Sequence, residues 1–198
     1  ADMGPQQLDQ NEVDPSILAN CSKILTTACL EIIEGQFLDL SFEGRTNIGI
    51  SQYLDMISRK TGALIRSAMH LGAISGTKNP RAVESLAKCG HYLGLVFQIR
   101  DDYLGIWGSE KETGKPTGSD IARRKNSLPI VYGLERANEN LRGRIRQIYS
   151  QVEIRNDDVN VVMGLLEDMK VPEYVNKLAQ ENANKARKAI DDVALIPG

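Results

Sequence analysis

Aromatic residues make up only 5% of this 198-residue chain, with three phenylalanines and one tryptophan, and alternating β-branched runs are almost absent. Both deficits argue against sheet, whose strands draw on those residue types. Only two histidines occur, His70 and His91, and neither has a ligand-like neighbour, so both read as ordinary surface or core residues. The three cysteines, Cys21, Cys29 and Cys89, lack metal-site spacing. An odd number without a disulfide pattern fits a reducing, cytoplasmic compartment. Cys21 and Cys29 lie eight apart on one predicted helix face and read as small core residues. A net charge of −2 leaves no basic surplus, so no nucleic-acid partner is expected. No signal peptide is visible, and no apolar run approaches the ~18 residues of a membrane span, so no stable membrane insertion is expected.

What remains is a helix former's composition. Hydrophobic residues are 41% and charged residues 25%, and Ala, Leu, Lys, Glu, Gln and Arg dominate, the mixture that favours helices. The expectation is a single all-α domain over residues 1–198. Ala1 to Val13 reads as a loop. Asp14-Pro15 offers an N-cap and a first-turn proline, and Ile17, Leu18, Cys21, Ile24, Leu25, Ala28, Ile32 and Ile33 follow with helical period. Ser51 is the expected N-cap of the next helix, which carries Lys60-Thr61-Gly62 in mid-run, where the glycine makes a local bend understandable. Ser109 to Asp120 reads as an irregular functional loop. Ser127 is expected to cap a short helix with Pro129 in its first turn. Asp157 and Asp158 read as N-cap and first-turn acids, Pro172 as a break, and Glu173 to Ala194 as a final amphipathic helix.

The chain is organised around the stretch Phe97-Gln98-Ile99-Arg100-Asp101-Asp102-Tyr103-Leu104-Gly105. Asn79-Pro80 begins its helix, Gly90 and Gly94 suit close helix packing, and Gly105 is the expected stop. Gln98 precedes the two aspartates by three and four residues, so the three side chains share one side of the helix. Adjacent carboxylates at a helix C-terminus repel each other and oppose the helix dipole. A divalent cation resolves this, and oxygen ligands with no histidine or cysteine nearby point to Mg²⁺. Lys115 between Gly114 and Pro116, then Asp120, Arg123, Arg124 and Lys125, supply the complement expected around a metal-bridged phosphate or diphosphate. A bare Asp-Asp pair, by contrast, is more often a solvated helix end. Gln36 and Asp39, three apart near the end of the first helix, are more often a surface hydrogen bond, and rank as supporting residues.

The full string FQIRDDYLGIWG…TGKPTGSDIARRK…LP resembles the second aspartate-rich region of the trans-prenyl diphosphate synthases, the polyprenyl synthetase family. Glu34-Gly35-Gln36-Phe37-Leu38-Asp39 resembles that family's GQ…D segment, and Lys60-Thr61-Gly62 its KTG segment, in family order. The resemblance implies an all-α, antiparallel helical bundle of the isoprenoid synthase type around a central cavity. It also implies an Mg²⁺-dependent prenyltransferase and homodimer whose substrates are an allylic prenyl diphosphate and isopentenyl diphosphate. It places Lys60 and Thr61 facing the reacting carbon and diphosphate, with Gln98 near the developing cation. Lys60, Lys115 and Lys125 neutralise the diphosphate, and Asp101, Asp102 and Asp120 hold metal. In the family the departing diphosphate serves as proton acceptor.

Two departures qualify it. The family's third aspartate is Gly105 here, and the first aspartate-rich motif, upstream of the GQ segment, is absent. The chain therefore looks like an internal portion of a longer synthase with half a metal site. A second reading is a non-catalytic partner or regulatory subunit.

Overall fold

The computed structural model describes residues 14–193, and the readings for Ala1–Val13 and for Ala194 lie outside them. Among the described residues there are helices and turns but no strand. In order they are α1 (Pro15–Phe42), α2 (Ile50–Ile57), a π-turn (Ser58–Gly62), α3 (Ala63–Gly76), α4 (Pro80–Trp107), α5 (Glu110–Thr113), α6 (Ser119–Ala122), α7 (Leu128–Arg136), α8 (Glu139–Tyr149), α9 (Asn156–Asp168) and α10 (Val171–Ile190). The all-α reading stands.

Both 28-residue helices begin as their caps dictate. The Asp14 carboxylate accepts from Ser16 N at 2.8 Å and Asn79 Oδ1 from Arg81 N at 3.1 Å, each ahead of a proline. α4 packs most extensively against α3 and α10. Ile99 and Ile106 are fully buried on it, beside Tyr53, Ile57, Leu128, Val162, Leu166, Val171 and Val175 of the surrounding helices. Burying each such aliphatic side chain contributes roughly 1.5–3 kcal/mol.

Several boundaries fall elsewhere than the sequence suggests. α4 does not stop at Gly105 but runs to Trp107, closed by Gly108 N donating to Leu104 O at 2.8 Å. Gly49, not Ser51, caps α2: its N–H donates to Gln52 Oε1 (3.0 Å), while Glu135 from α7 takes Ile50 N (2.8 Å). The Ser109–Asp120 loop contains two single-turn helices, joined through Gly114 and Gly118 at φ 67° and 74°. Arg155 rather than an aspartate holds the N-cap position of α9, and Asp158 reaches back to its N–H at 3.1 Å. Pro172 does not break the chain; it lies in the first turn of α10.

α1 departs most. Only Ala28, Gly35 and Phe42 of its length are buried, while Leu18, Leu25, Leu30, Ile33, Phe37 and Leu40 are all more than half exposed. Cys29, expected in the core, is exposed, and Cys21 is half-buried. By length and composition α1 is also apolar enough to cross a membrane, correcting the expectation that no such run exists. Its scattered Ser, Thr, Lys and Glu residues conceal the run from a search for unbroken apolar sequence.

Candidate active site

The π-turn decides where the first candidate residues go. Its tight fit explains two glycines: a β-carbon on Gly35 of α1 would lie 2.7 Å from Lys60 Cα, and one on Gly94 of α4 would lie 2.5 Å from Gly62 Cα. The Lys60-Thr61-Gly62 backbone is thus clamped between α1 and α4. Lys60 Nζ pairs with Asp39 of α1 at 2.5 Å, and Thr61 Oγ1 donates to Gln98 Oε1 of α4 at 2.7 Å. Gln98 Nε2 in turn donates to Asp101 Oδ2 at 3.3 Å and Asp102 Oδ1 at 3.2 Å. Gln36 is exposed and joins none of these bonds.

The two adjacent aspartates are not equivalent. Asp101 keeps 56% of its side chain exposed, whereas Asp102 has none. Asp102 Oδ2 accepts from the Tyr53 hydroxyl and from Leu128 N (2.9 Å), and its Oδ1 accepts from Gln98 and from Lys125 Nζ (3.1 Å). It therefore caps α7, a task the sequence assigns to Ser127, whose own buried hydroxyl finds no partner. Both oxygens of Asp102 are thus engaged by protein donors, whereas Asp101 keeps much of its carboxylate exposed.

Asp120 comes from the first turn of α6, which Ser119 Oγ and Gly118 N tie back to Gly105 O (3.3 Å) and Ile106 O (3.0 Å). Lys125 Nζ sits among the three carboxylates, 3.1 Å from Asp102, 3.2 Å from Asp120 and 3.8 Å from Asp101. Burial works against the Lys125 charge, but Asp102, then Asp120 and Asp101, outweigh it and hold the ammonium above the ordinary lysine range. Burial pushes the Asp120 carboxyl up against the pull of Lys125, with Asp102 and Asp101 adding to the rise. Burial, then the Asp102 charge, raises the Tyr53 hydroxyl well above its usual value, so it remains a donor.

The rest of the basic run divides. Arg124 donates to the carbonyls of Tyr149 (3.0 Å), Gln151 (2.6 Å) and Val152 (3.0 Å) and serves the fold, while Arg123 and Lys115 are exposed. From the sequence Tyr53 reads only as part of the apolar side of its helix, two turns before Lys60, and nothing local signals the bond from its hydroxyl to Asp102. A cavity of about 880 Å³ lies at the other end of α4, lined by Met69, Gly76, Arg81, Ser85 and Asp192 among others. Beside the carboxylates, Phe97 and Leu93 are instead exposed.

No group of three or more ligating side chains closes on a metal position among the described residues. The exposed Asp101, with Asp120 buried beside it but for 12% of its side chain, would suit a cation that takes its remaining ligands from water and phosphate oxygens, as Mg²⁺ usually does. The fold is thus all-helical, with Asp101, Asp102, Asp120 and Lys125 gathered toward the C-terminal end of α4. The polyprenyl synthetase family model matches residues 8–166, and the chain belongs to that family. It is 35% identical over 178 residues to the short chain isoprenyl diphosphate synthase of Methanothermobacter thermautotrophicus, covering 90% of this chain and 54% of the relative. The geranylgeranyl pyrophosphate synthetase of Pyrococcus horikoshii superposes with a TM-score of 0.87 at 32% identity, covering 95% and 57%. The Corynebacterium glutamicum geranylgeranyl pyrophosphate synthase complexed with isoprenyl diphosphate and magnesium gives 0.83 at 29%, covering 92% and 52%. The chain spans about half the length of these relatives.

Proposed function

We propose that this chain carries the second aspartate-rich half of the active site of an Mg²⁺-dependent prenyltransferase, condensing an allylic diphosphate head to tail with isopentenyl diphosphate. The observation that carries the reading is the cluster of Asp101, Asp120 and Lys125, with Asp102 locked beneath it. The magnesium and isoprenyl diphosphate bound to the Corynebacterium relative support it.

In this reaction the allylic C–O bond breaks and its electron pair leaves with diphosphate. The terminal alkene of isopentenyl diphosphate attacks the resulting cation, and proton loss completes the product. Bound Mg²⁺ supplies neutralisation of the leaving group's charge. Asp101 and Asp120 would hold it, and Lys125, Lys115 and Lys60 would meet diphosphate oxygens. Asp39 orients Lys60, and the Thr61–Gln98 bond aims the Gln98 amide at the carboxylates. Asp102 acts as a positioning residue. The protein is read as a cytoplasmic homodimer without membrane insertion.

The test is Mg²⁺-dependent incorporation of radiolabelled isopentenyl diphosphate, run beside the intact mass of the purified protein. Incorporation into a longer prenyl product, falling by roughly a hundredfold or more in Asp101→Ala, supports the reading. No incorporation at any Mg²⁺ concentration by a protein of mass well above 21.9 kDa overturns it in favour of a non-catalytic subunit. No incorporation at the calculated mass is instead the behaviour of a half-site that needs the chain carrying the other aspartates.

A further inference from the structure

We propose that Lys125 is a resident counter-ion: its ammonium fills the space between Asp101, Asp102 and Asp120 in the free protein and leaves it for a diphosphate oxygen, so that metal and diphosphate bind together. This rests on the reading of the site as a diphosphate–metal centre.

Three observations carry it. First, the lysine occupies the position toward which the carboxylates would draw a divalent cation, at 3.1, 3.2 and 3.8 Å from their oxygens. A metal arriving alone meets a like charge there. Second, the backbone is fixed while the stem is free. Lys125 N donates to Asp120 O at 2.9 Å, and Arg124, at φ 54°, is tied to three carbonyls. The Lys125 side chain is nonetheless 34% exposed, and its four-carbon stem turns without moving the loop. Third, departure strands nothing. Asp102 retains Tyr53, Leu128 N and Gln98 as donors when the ammonium goes, so the carboxylates freed for metal are Asp101 and Asp120. A diphosphate offers the departing ammonium charge-assisted bonds in exchange. Metal and diphosphate affinities are then coupled, each raising the other by the same factor.

The test uses the chain as it stands, with Mn²⁺ as metal probe and inorganic pyrophosphate as anion, by calorimetry and by electron paramagnetic resonance of free Mn²⁺. In the wild type Mn²⁺ alone binds weakly and pyrophosphate strengthens it. In Lys125→Met, Mn²⁺ alone binds about tenfold or more tightly, and the strengthening by pyrophosphate shrinks. Lys111→Met, which removes an exposed cation outside the site, shifts Mn²⁺ affinity less than about twofold. Equal Mn²⁺ affinity in wild type and Lys125→Met overturns the proposal, as does an equal gain in Lys111→Met. Should the variant fold poorly, the Lys125 ¹⁵Nζ resonance of the wild type decides. It shifts when Mg²⁺ and pyrophosphate are added together, and an unchanged resonance overturns the proposal. Mn²⁺ and pyrophosphate binding indifferent to Asp101→Asn would instead sink the underlying site reading, whatever Lys125 does.

Discussion

The carboxylate of Asp120 rests directly on the α-carbon of Gly105: a β-carbon at that glycine would lie 2.5 Å from Asp120 Cγ and 2.8 Å from Oδ1. A side chain at position 105 has to push the Asp120 carboxylate aside. Gly105→Asp is therefore expected to disturb the Asp120–Lys125 pair rather than simply add a ligand. Overpacking costs about 1–3 kcal/mol, offset in part by leaving glycine in a helix. A lower urea midpoint and weaker Mn²⁺–pyrophosphate binding are expected. Tighter metal binding in Gly105→Asp would refute the relationship.

The inequality of Asp101 and Asp102 is measurable as stability. Tyr53→Phe removes one of four donors to a buried carboxylate, at about 1–3 kcal/mol. Asp102→Ala strands the Tyr53 hydroxyl and Leu128 N, at about 1–3 kcal/mol for each group, while Lys125 keeps Asp120 and Asp101. Asp101→Ala, at an exposed position, should stay within about 0.5 kcal/mol. Equal losses at the two aspartates in equilibrium unfolding would show that both are structural, or neither.

That inequality marks the limit of what the sequence discloses. The caps at Asp14 and Asn79 and the period of α4 are local signals, and they read correctly. Placing Gln98, Asp101 and Asp102 on one side of α4 was equally local. Which aspartate is buried depends on Tyr53, 49 residues away, and on Leu128 N, 26 away, and no spacing encodes that. The basic run fails for a related reason: Arg124 and Lys125 are neighbours, yet a positive φ at Arg124 sends one to the carbonyls after α8 and the other to the carboxylates.

The glycines separate by what stands over them. Gly94→Ala drives a methyl against the Gly62 backbone, which cannot rotate away, and should cost about 1–3 kcal/mol while loosening the Thr61–Gln98 bond. Gly143→Ala and Gly164→Ala, helical with nothing within 4 Å, should gain about 0.4–1 kcal/mol. Thermal unfolding of the three variants checks the contrast. A stabilised Gly94→Ala would mean that the π-turn and α4 stand further apart.

Burial holds the His91 imidazole below its ordinary 6.5, with Arg66 adding to the depression and Glu31 opposing it. A lowered histidine value means that the unfolded chain takes the proton first. Stability from this group is present above pH 6.5 and lost as pH falls toward the folded value. The urea midpoint should drop between pH 7 and pH 5 in the wild type, and drop less in His91→Gln. An identical drop in both would assign the acid sensitivity elsewhere.

α1 poses the last question, because its period promises burial and its environment withholds it. Ala28, Gly35 and Phe42 recur every seven residues and meet the rest of the fold, while Leu25, Ile33 and Phe37 are 52%, 65% and 69% exposed. Replacing those three with glutamate forfeits little packing and should change the urea midpoint by less than about 0.5 kcal/mol per site. Phe42→Ala, at 5% exposure, should cost about 3–5 kcal/mol. The same triple variant should abolish binding of a hydrophobic dye and any concentration-dependent association of the wild type, since an open apolar stripe is what drives both. A triple variant as unstable as Phe42→Ala would mean that this face is covered in solution. The apolar period of α1 would then be a core signal after all.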